Sequence, residues 1–453
     1  MWMRVATLWM AIALVPVAAA RAEEPPPPSG DTELRWVDPW DQGEGYRTPR
    51  AGEGFRTSLF GFDASVEPRD RRSTSAIDVG AVAGFPGADD ANFLPFASGY
   101  FWRRPDERRF LRATVGILYN DVVAAHSLGD SPFEAVFAFE NNTVPFDDNA
   151  QWVDGESNED EEMRKMWVRG GVGLGYRRQL VPGWNPLVFT ERVDPQKPDN
   201  MFSLYLLAEP KYLYFGERNS IESFVVPQDT FELDGRAAMR WDSMERNLLE
   251  LVHRGFAIGF DATYGWRANW EDWGIDGMER AERGRHPKLL QTYAVAAMGI
   301  PGIASERHRL IPSVHAGWGW DVDRFSQPRV GGGPSGNEYM SLARPTLPGA
   351  AISEFTPKHY AIALAEYRYE LLFFTYLSAY GGVAWLDRDR LGPTGLVGGI
   401  HHQNDFLYPV GARITTGFAF HTQLQLEYNY NFDVIREGAH GGDELVVHIS
   451  RSF

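Results

Sequence analysis

The chain of 453 residues contains no cysteine, which excludes a disulfide framework and any thiolate metal site. After residue 22 it also lacks a run of about 18 consecutive apolar residues, so no later segment reads as a membrane-spanning helix. Basic residues are in deficit, 44 Lys and Arg against 61 Asp and Glu, and the net charge of -17 argues against nucleic acid, whose phosphates need a basic surface. Helical spacing of apolar residues is almost nowhere sustained. What remains is a chain with 13% aromatics and 46 glycines, a composition that suits a sheet with aromatic girdles and tight bends.

Period-two alternation is the dominant pattern. Over 422–432, Leu424, Leu426, Tyr428, Tyr430 and Phe432 face one way, while Gln423, Gln425, Glu427, Asn429 and Asn431 face the other. Lipid on one side and a polar interior on the other account for such a split directly. Likewise Ala363, Ala365, Tyr367 and Tyr369 oppose Glu366, Arg368 and Glu370. Charge is costly against hydrocarbon, so Glu366, Arg368, Arg413 and Glu427 are expected to line a lumen. The last residues place Leu445, Val447, Ile449 and Phe453 on one face and stop on the aromatic, as a barrel-closing strand does. Arg451 shares that outward face, where it is tolerated only near the rim.

Residues 1–22 read as a secretory signal peptide, with an early Arg4, an apolar run and small residues before an acidic start. Residues 23–54 read as a Pro-rich periplasmic linker, and 55–453 as a barrel, with 57–66 either a strand or a plug segment. Sixteen strand-length runs follow one another from 74–85 to 443–453, an even number as in bacterial barrels. The region 109–122 is read as one strand, and 221–231 and 232–242 are counted as two, with one strand or none as the alternatives. The expected fold is all-β, a transmembrane antiparallel barrel in the bacterial outer membrane. Its long connection 323–357 is external if the C-terminus is periplasmic. The acidic stretch from Asp154 to Glu162 then becomes an unusually long periplasmic turn, in conflict with barrel habit.

The segment Arg329-Val-Gly-Gly-Gly-Pro-Ser-Gly336, then Leu347-Pro-Gly349, then Ala363-Leu-Ala-Glu-Tyr-Arg-Tyr-Glu-Leu371, resembles the BamA/TamA family of outer-membrane assembly factors, also called bacterial surface antigens. The resemblance covers about residues 305–453, and five strands are expected after the loop, as in the family's sixteen-strand barrel. It implies a sixth external loop folded into the lumen, with Gly332, Gly333, Gly336 and Arg344 as its motif positions. The family's loop arginine and its aspartate partner are both absent here, where the segments read Ser335-Gly336 and Leu377-Ser-Ala379-Tyr-Gly381. Losing both is coherent, since a lone buried charge costs more than an absent pair. Arg344 and Arg329 are the candidate substitutes, with Glu366 as the group to reach. The chain leaves no room for POTRA or lipid-hydrolysing domains and so resembles the short members of the family.

Three functions follow as expectations. The first is a plugged barrel aiding insertion or transfer of an unidentified polypeptide or lipid. Its partners would be outer-membrane lipids and, during biogenesis, the barrel-assembly machinery. The second is a passive porin whose selectivity is set by the lumen charges. The third is a lipid-modifying enzyme built on His448 and Ser450, whose side chains are expected to face the lumen as ordinary polar residues. No enzyme activity, cofactor or metal site is expected. His401 and His402 on an extended segment diverge, the run 156–162 reads as a solvated loop, and Gly331 to Gly333 do not open a helix as phosphate loops do.

Overall fold

The computed structural model describes residues 34–69, 71, 73–85, 92–103, 108–116, 120–148, 152–153, 156–157, 163–180, 189–190, 201–217, 221–277, 279, 281–333, 342–391, 400–418, 422–436 and 439–452. Trp36–Phe453 forms one compact unit, and the unit before it, Met1–Arg35, lies almost wholly outside the described residues. The expected signal peptide, Gly336, Phe453 and the side chains of His401 and His402 fall outside them too.

Sixteen antiparallel strands close on themselves. They are β1 (Ser73–Phe85), β2 (Asn92–Arg103), β3 (Arg109–Gly116), β4 (Asn120–Ser127), β5 (Phe133–Asp148), β6 (Met163–Leu180), β7 (Met201–Glu217) and β8 (Thr230–Asp242). There follow β9 (Val252–Arg267), β10 (Lys288–Gly299), β11 (His308–Trp320), β12 (His359–Leu372), β13 (Thr375–Leu391), β14 (in two pieces, Ile400–Leu407 and Pro409–Phe418), β15 (Thr422–Arg436) and β16 (Ala439–Ser452). The seam is a full ladder: β16 runs against β1 from Asp443 opposite Phe85 to Ser452 opposite Ala76. Closure leaves no strand edge, and every wall residue can pair its backbone with a neighbour.

The sheet is all-β and sixteen-stranded as expected, but two local errors cancel in the count. Over 109–122 there are two strands, β3 and β4, where one was read. In sequence no Gly or Pro at 117–119 breaks the apolar pattern, so nothing local separates the two strands; the Gly116 N–H at the end of β3 donates to Asn120 Oδ1 at the start of β4 at 3.2 Å. Over 221–242 there is one wall strand, β8, where two were read. Pro227 interrupts the run, and Phe224–Val225 pair instead with Gly274–Ile275 in a separate ribbon. With β3 and β4 separate, the connection from β5 to β6 that carries the acidic stretch lies at the same end as the β11 to β12 connection. The conflict over a long turn at the other end disappears. We call these the loop end, where 321–358 leaves the wall, and the plug end, where even-numbered strands finish.

Side chains divide as the alternation requires. On β15, Leu424, Leu426, Tyr428 and Phe432 are exposed, while Gln423, Gln425, Glu427, Asn429 and Asn431 are buried. The apolar core sits inside the cylinder. Val330, Leu347, Ala350 and Phe355 of the long connection pack on Tyr360, Ile362, Ala384, Leu386, Leu407 and Val434 of the wall. A second inward cluster, Phe110, Ala125, Val136 and Leu207, fills part of the lumen beside β3 to β7.

The outward stripe is testable at Leu426. Leu426→Arg is expected to lower the unfolding free energy in bilayers by about 2–4 kcal/mol, measured by urea titration of the vesicle-bound barrel. Unchanged stability would mean that this stripe does not meet hydrocarbon.

Candidate functional site in the barrel lumen

The interior is approached by chain from both ends. At the loop end, 321–358 leaves β11 in a turn built on Asp323, whose Oδ1 accepts the N–H groups of Phe325 (3.1 Å) and Ser326 (3.0 Å). Asp323 is held by buried Arg267, at 2.5 Å, and Arg267 also meets Glu232 and lies over the Trp270 ring. Phe325 then packs among Met163, Phe224, Trp270, Trp273 and Ile275. The two limbs of the connection join where Val330 bridges Phe355 and Gly331 bridges Thr346.

Both limbs of this connection are tied to the last strand, at Gly333 and Gly349. Glu444 on β16 accepts the backbone N–H of Gly333 and that of Gly349 (3.4 Å), together with Asn429 Nδ2 at 2.8 Å. Two glycines make the approach possible. A Cβ at Gly332 would stand 2.2 Å from Glu444 Oε1, and one at Gly349, where φ is +77, would stand 2.5 Å from the Asn431 nitrogen. Gly332 and Gly333 are thus brought to a charge by their backbone. Arg344 donates to the Gly332 carbonyl at 3.0 Å, and so braces the first limb.

Arg344, one of the two candidate substitutes for the family's loop arginine, therefore does not take Glu366 as its partner. The Gly331–Thr346 bridge keeps Arg344 beside its own loop, and Glu366 already has wall partners. Arg368 NH2 lies 2.8 Å and Arg413 NH2 3.1 Å from it, and Ser378 Oγ donates to it at 2.8 Å. Arg413 continues to Glu427 at 3.3 Å, Glu427 to Asn429 at 2.9 Å, and Asn429 to Glu444. In the other direction Arg368 donates to the Val252 carbonyl at 2.7 Å. The four lumen charges named from sequence therefore form one connected network, and it ends on the loop tether.

At the plug end, residues 37–71 fold onto the barrel rim. Arg307 is fully buried and donates to the carbonyls of Pro39 (3.1 Å), Asp41, Glu370 (3.1 Å) and Leu371 (3.1 Å), with its guanidinium 3.9 Å from the Tyr46 ring centre. Glu370 receives the Tyr46 hydroxyl and the Thr48 hydroxyl, the latter at 2.7 Å. Glu306 accepts Arg50 and the Thr48 N–H, both at 3.2 Å. Glu250 receives Arg69 at 2.5 Å and Arg71 at 2.8 Å. Under these polar ties, Val37, Tyr46, Phe55 and Val66 pack on Phe373. Residues 36–54, read from sequence as linker, thus belong to the same compact unit as the wall. Burial alone would raise the Glu306 carboxyl, but the His253 hydrogen bond and the Arg50 charge outweigh it and hold it well below the usual range. Its contribution to the plug is therefore complete above the ordinary carboxylate range and is lost as pH falls through the depressed value.

His448 and Ser450 face the interior, both buried, as the alternation implies. His448 meets Asp78 of β1 across the seam and lies 5.9 Å from the Phe96 ring centre. Asp78 carried no signal in sequence, because nothing in β1 marks it as a neighbour of the last strand. Arg307, Tyr46 and Glu444 were missed for the same reason. Glu370 had been placed on the lumenal face, but its role as an anchor depends on a segment more than 300 residues away. Among the described residues no group of three or more His, Cys, Asp or Glu side chains could hold a metal ion.

No protein-family model matches the chain, and no curated protein sequence matches it. Solved structures similar to it include CdiB from Acinetobacter baumannii, at TM-score 0.48 and 8% identity over 90% of this chain and 64% of that one. BamA from Haemophilus ducreyi lacking POTRA domains 1-3 gives 0.47 and 9% over 88% and 75%, and CdiB from Escherichia coli 0.47 and 11% over 89% and 68%. The chain thus spans just under two thirds of the length of the first of these.

The plug anchors can be broken one at a time. Arg307→Met or Glu370→Gln is expected to speed trypsin cleavage at Arg47 and Arg50 on the order of tenfold or more, since each leaves buried polar groups unpaired. The heat-modifiable migration of the barrel should persist. Cleavage at the wild-type rate would show that these contacts do not hold the segment.

Proposed function

We propose that this protein is a gated outer-membrane barrel that helps a polypeptide or lipid enter or cross that membrane, as its resemblance to the BamA/TamA assembly factors implies. One observation carries the reading: chain packs against the inner wall at the loop end and against the rim at the plug end, and each segment is fastened there by buried polar contacts. A standing pore needs an unobstructed, hydrated path, and selectivity residues free to meet a solute. Here Glu366, Arg368, Arg413 and Glu427 are spent on one another and on the loop tether. The contacts are nonetheless of a releasable kind. Glu444 grips the loop through two backbone N–H groups rather than through a covalent link or an extended ladder. Lipid hydrolysis is the weaker reading, since His448 and Ser450 point inward, away from the apolar outer face, and His448 is engaged with Asp78.

The measurement is single-channel conductance of the full chain in planar bilayers. The wild type is expected to stay closed for most of the record. Glu444→Ala, which removes the charged acceptor of both limbs, is expected to raise the open fraction on the order of tenfold or more. Deletion of 327–349 is expected to leave the barrel open at the loop end and raise conductance further. A wild-type pore as open as the deletion would sink the gated reading in favour of a passive channel.

A further inference from the structure

The segment at the plug end has an apolar face that the barrel does not cover. Its hairpin, Phe55–Leu59 against Phe62–Val66, sets Phe55 opposite Val66, Thr57 opposite Ala64 and Leu59 opposite Phe62, so that these pairs share one side. At the base this side is buried on Phe373. About 13 Å further on, at roughly 3.3 Å per residue, the same side emerges: Phe62 is 78% exposed. The opposite side carries Arg56, Ser58, Asp63 and Ser65 and is polar throughout.

The tip itself is unusual. Phe60 is as exposed as Phe62 and sits at φ 52, a left-handed conformation that Gly or Asn adopts easily and that strains a bulky residue. Gly61 follows, also left-handed, and a Cβ built there would meet nothing within 4 Å, so the tip stands clear of its surroundings. A tip in water gains nothing from holding a phenyl ring in such a conformation. One against an apolar phase does.

Two tryptophans extend the patch toward the wall. Trp40 meets Phe60 edge to face at 6.1 Å and is itself exposed, as is Trp36. Trp40 is fixed in place by its N–H bond to Asp38 Oδ1 at 2.9 Å and by the grip of Arg307 on the flanking carbonyls of Pro39 and Asp41. Two residues on, Gln42 reaches over the rim: the Tyr369 hydroxyl, on the outer face of β12, donates to its Oε1 at 3.4 Å. Tyr369 and Tyr367 group there with His308 of β11. The exposed aromatics of the segment are therefore continuous with the aromatic rim of the outer wall. Tryptophan and other amphipathic rings favour the boundary between headgroups and acyl chains.

We propose that this hairpin is a foot bedded in the adjoining lipid leaflet, with Trp36, Trp40, Phe60 and Phe62 in the interfacial zone. The plug is then held by lipid as well as by the barrel. An element with one apolar and one polar side, set at the rim of a spanning wall, fits a membrane surface rather than a protein partner, which would cover both sides of the tip. The proposal rests on the reading that the barrel lies in a membrane, and the experiment separates the two.

The absence of cysteine allows single labels to be placed cleanly. Phe60→Cys in the full chain is labelled with an environment-sensitive nitrobenzoxadiazole dye and reconstituted into phosphatidylethanolamine/phosphatidylglycerol vesicles. Quenching by iodide on both sides of the membrane is compared with quenching by a lipid carrying a shallow nitroxide. Asp130→Cys, on an exposed turn at the same end, is the water control, and Leu426→Cys on the outer wall is the hydrocarbon control. The label at position 60 is expected to be quenched by the lipid nitroxide and at least threefold less by iodide than the label at 130. Iodide access equal to that at 130, with 426 still shielded, would overturn the foot and leave the membrane reading standing. Iodide access at 426 as well would overturn both.

Discussion

Everything in this structure depends on the closure of the last strand onto the first. In a sheet closed on itself each strand has a neighbour on both sides, so each wall N–H and C=O can find a partner within the sheet. The ladder from Asp443–Phe85 to Ser452–Ala76 completes that pairing. Closure also fixes which side chains face inward, because the pleat alternates without exception along a regular strand. From that follow both the apolar outer stripe of β15 and β16 and the polar inner one.

A closed wall of this kind creates its own difficulty, an interior full of charge. The protein answers it by pairing. Glu366, Arg368, Arg413 and Glu427 neutralise one another, Arg177 meets Glu134, and Arg236 meets Asp261. The surplus hydrogen-bonding capacity of the network is directed at the two inserted segments. One end of it, through Asn429 and Glu444, holds the long connection. The other end reaches the Val252 carbonyl, two residues from Glu250, which holds Arg69 and Arg71 of the plug. Loop and plug are each fastened by their own buried polar contacts.

The fold was legible because barrel strands are written locally. β15 shows its two faces over eleven residues, and the terminal strand shows them again. Legibility failed where local pattern and chain direction part company. The apolar run over 109–122 has no Gly or Pro between β3 and β4 to mark a boundary, and Pro227 follows a strand-like run that pairs with Gly274–Ile275 rather than joining the wall. Half of the candidate site was legible as well. Parity along a strand puts Glu366, Arg368, Arg413 and Glu427 on the inward side, where they meet one another. The partners of the loop were not legible, because Arg344 is closer to its own loop than to Glu366, and Glu444 was an anonymous inward acid until Gly332 was seen to approach it.

By itself, the sequence determined the kind of wall: alternation sets the faces, the lack of cysteine and of long apolar runs removes the competing architectures, and parity puts the charges inside. Only the tertiary structure decided how the long connection and the plug segment are fastened to the wall. The contacts responsible join residues far apart in the chain, Tyr46 with Glu370 and Gly333 with Glu444, and no periodicity records them. Pattern encodes which side a residue faces. What it meets on that side is set by loops and termini, whose paths are fixed by packing rather than by any local repeat.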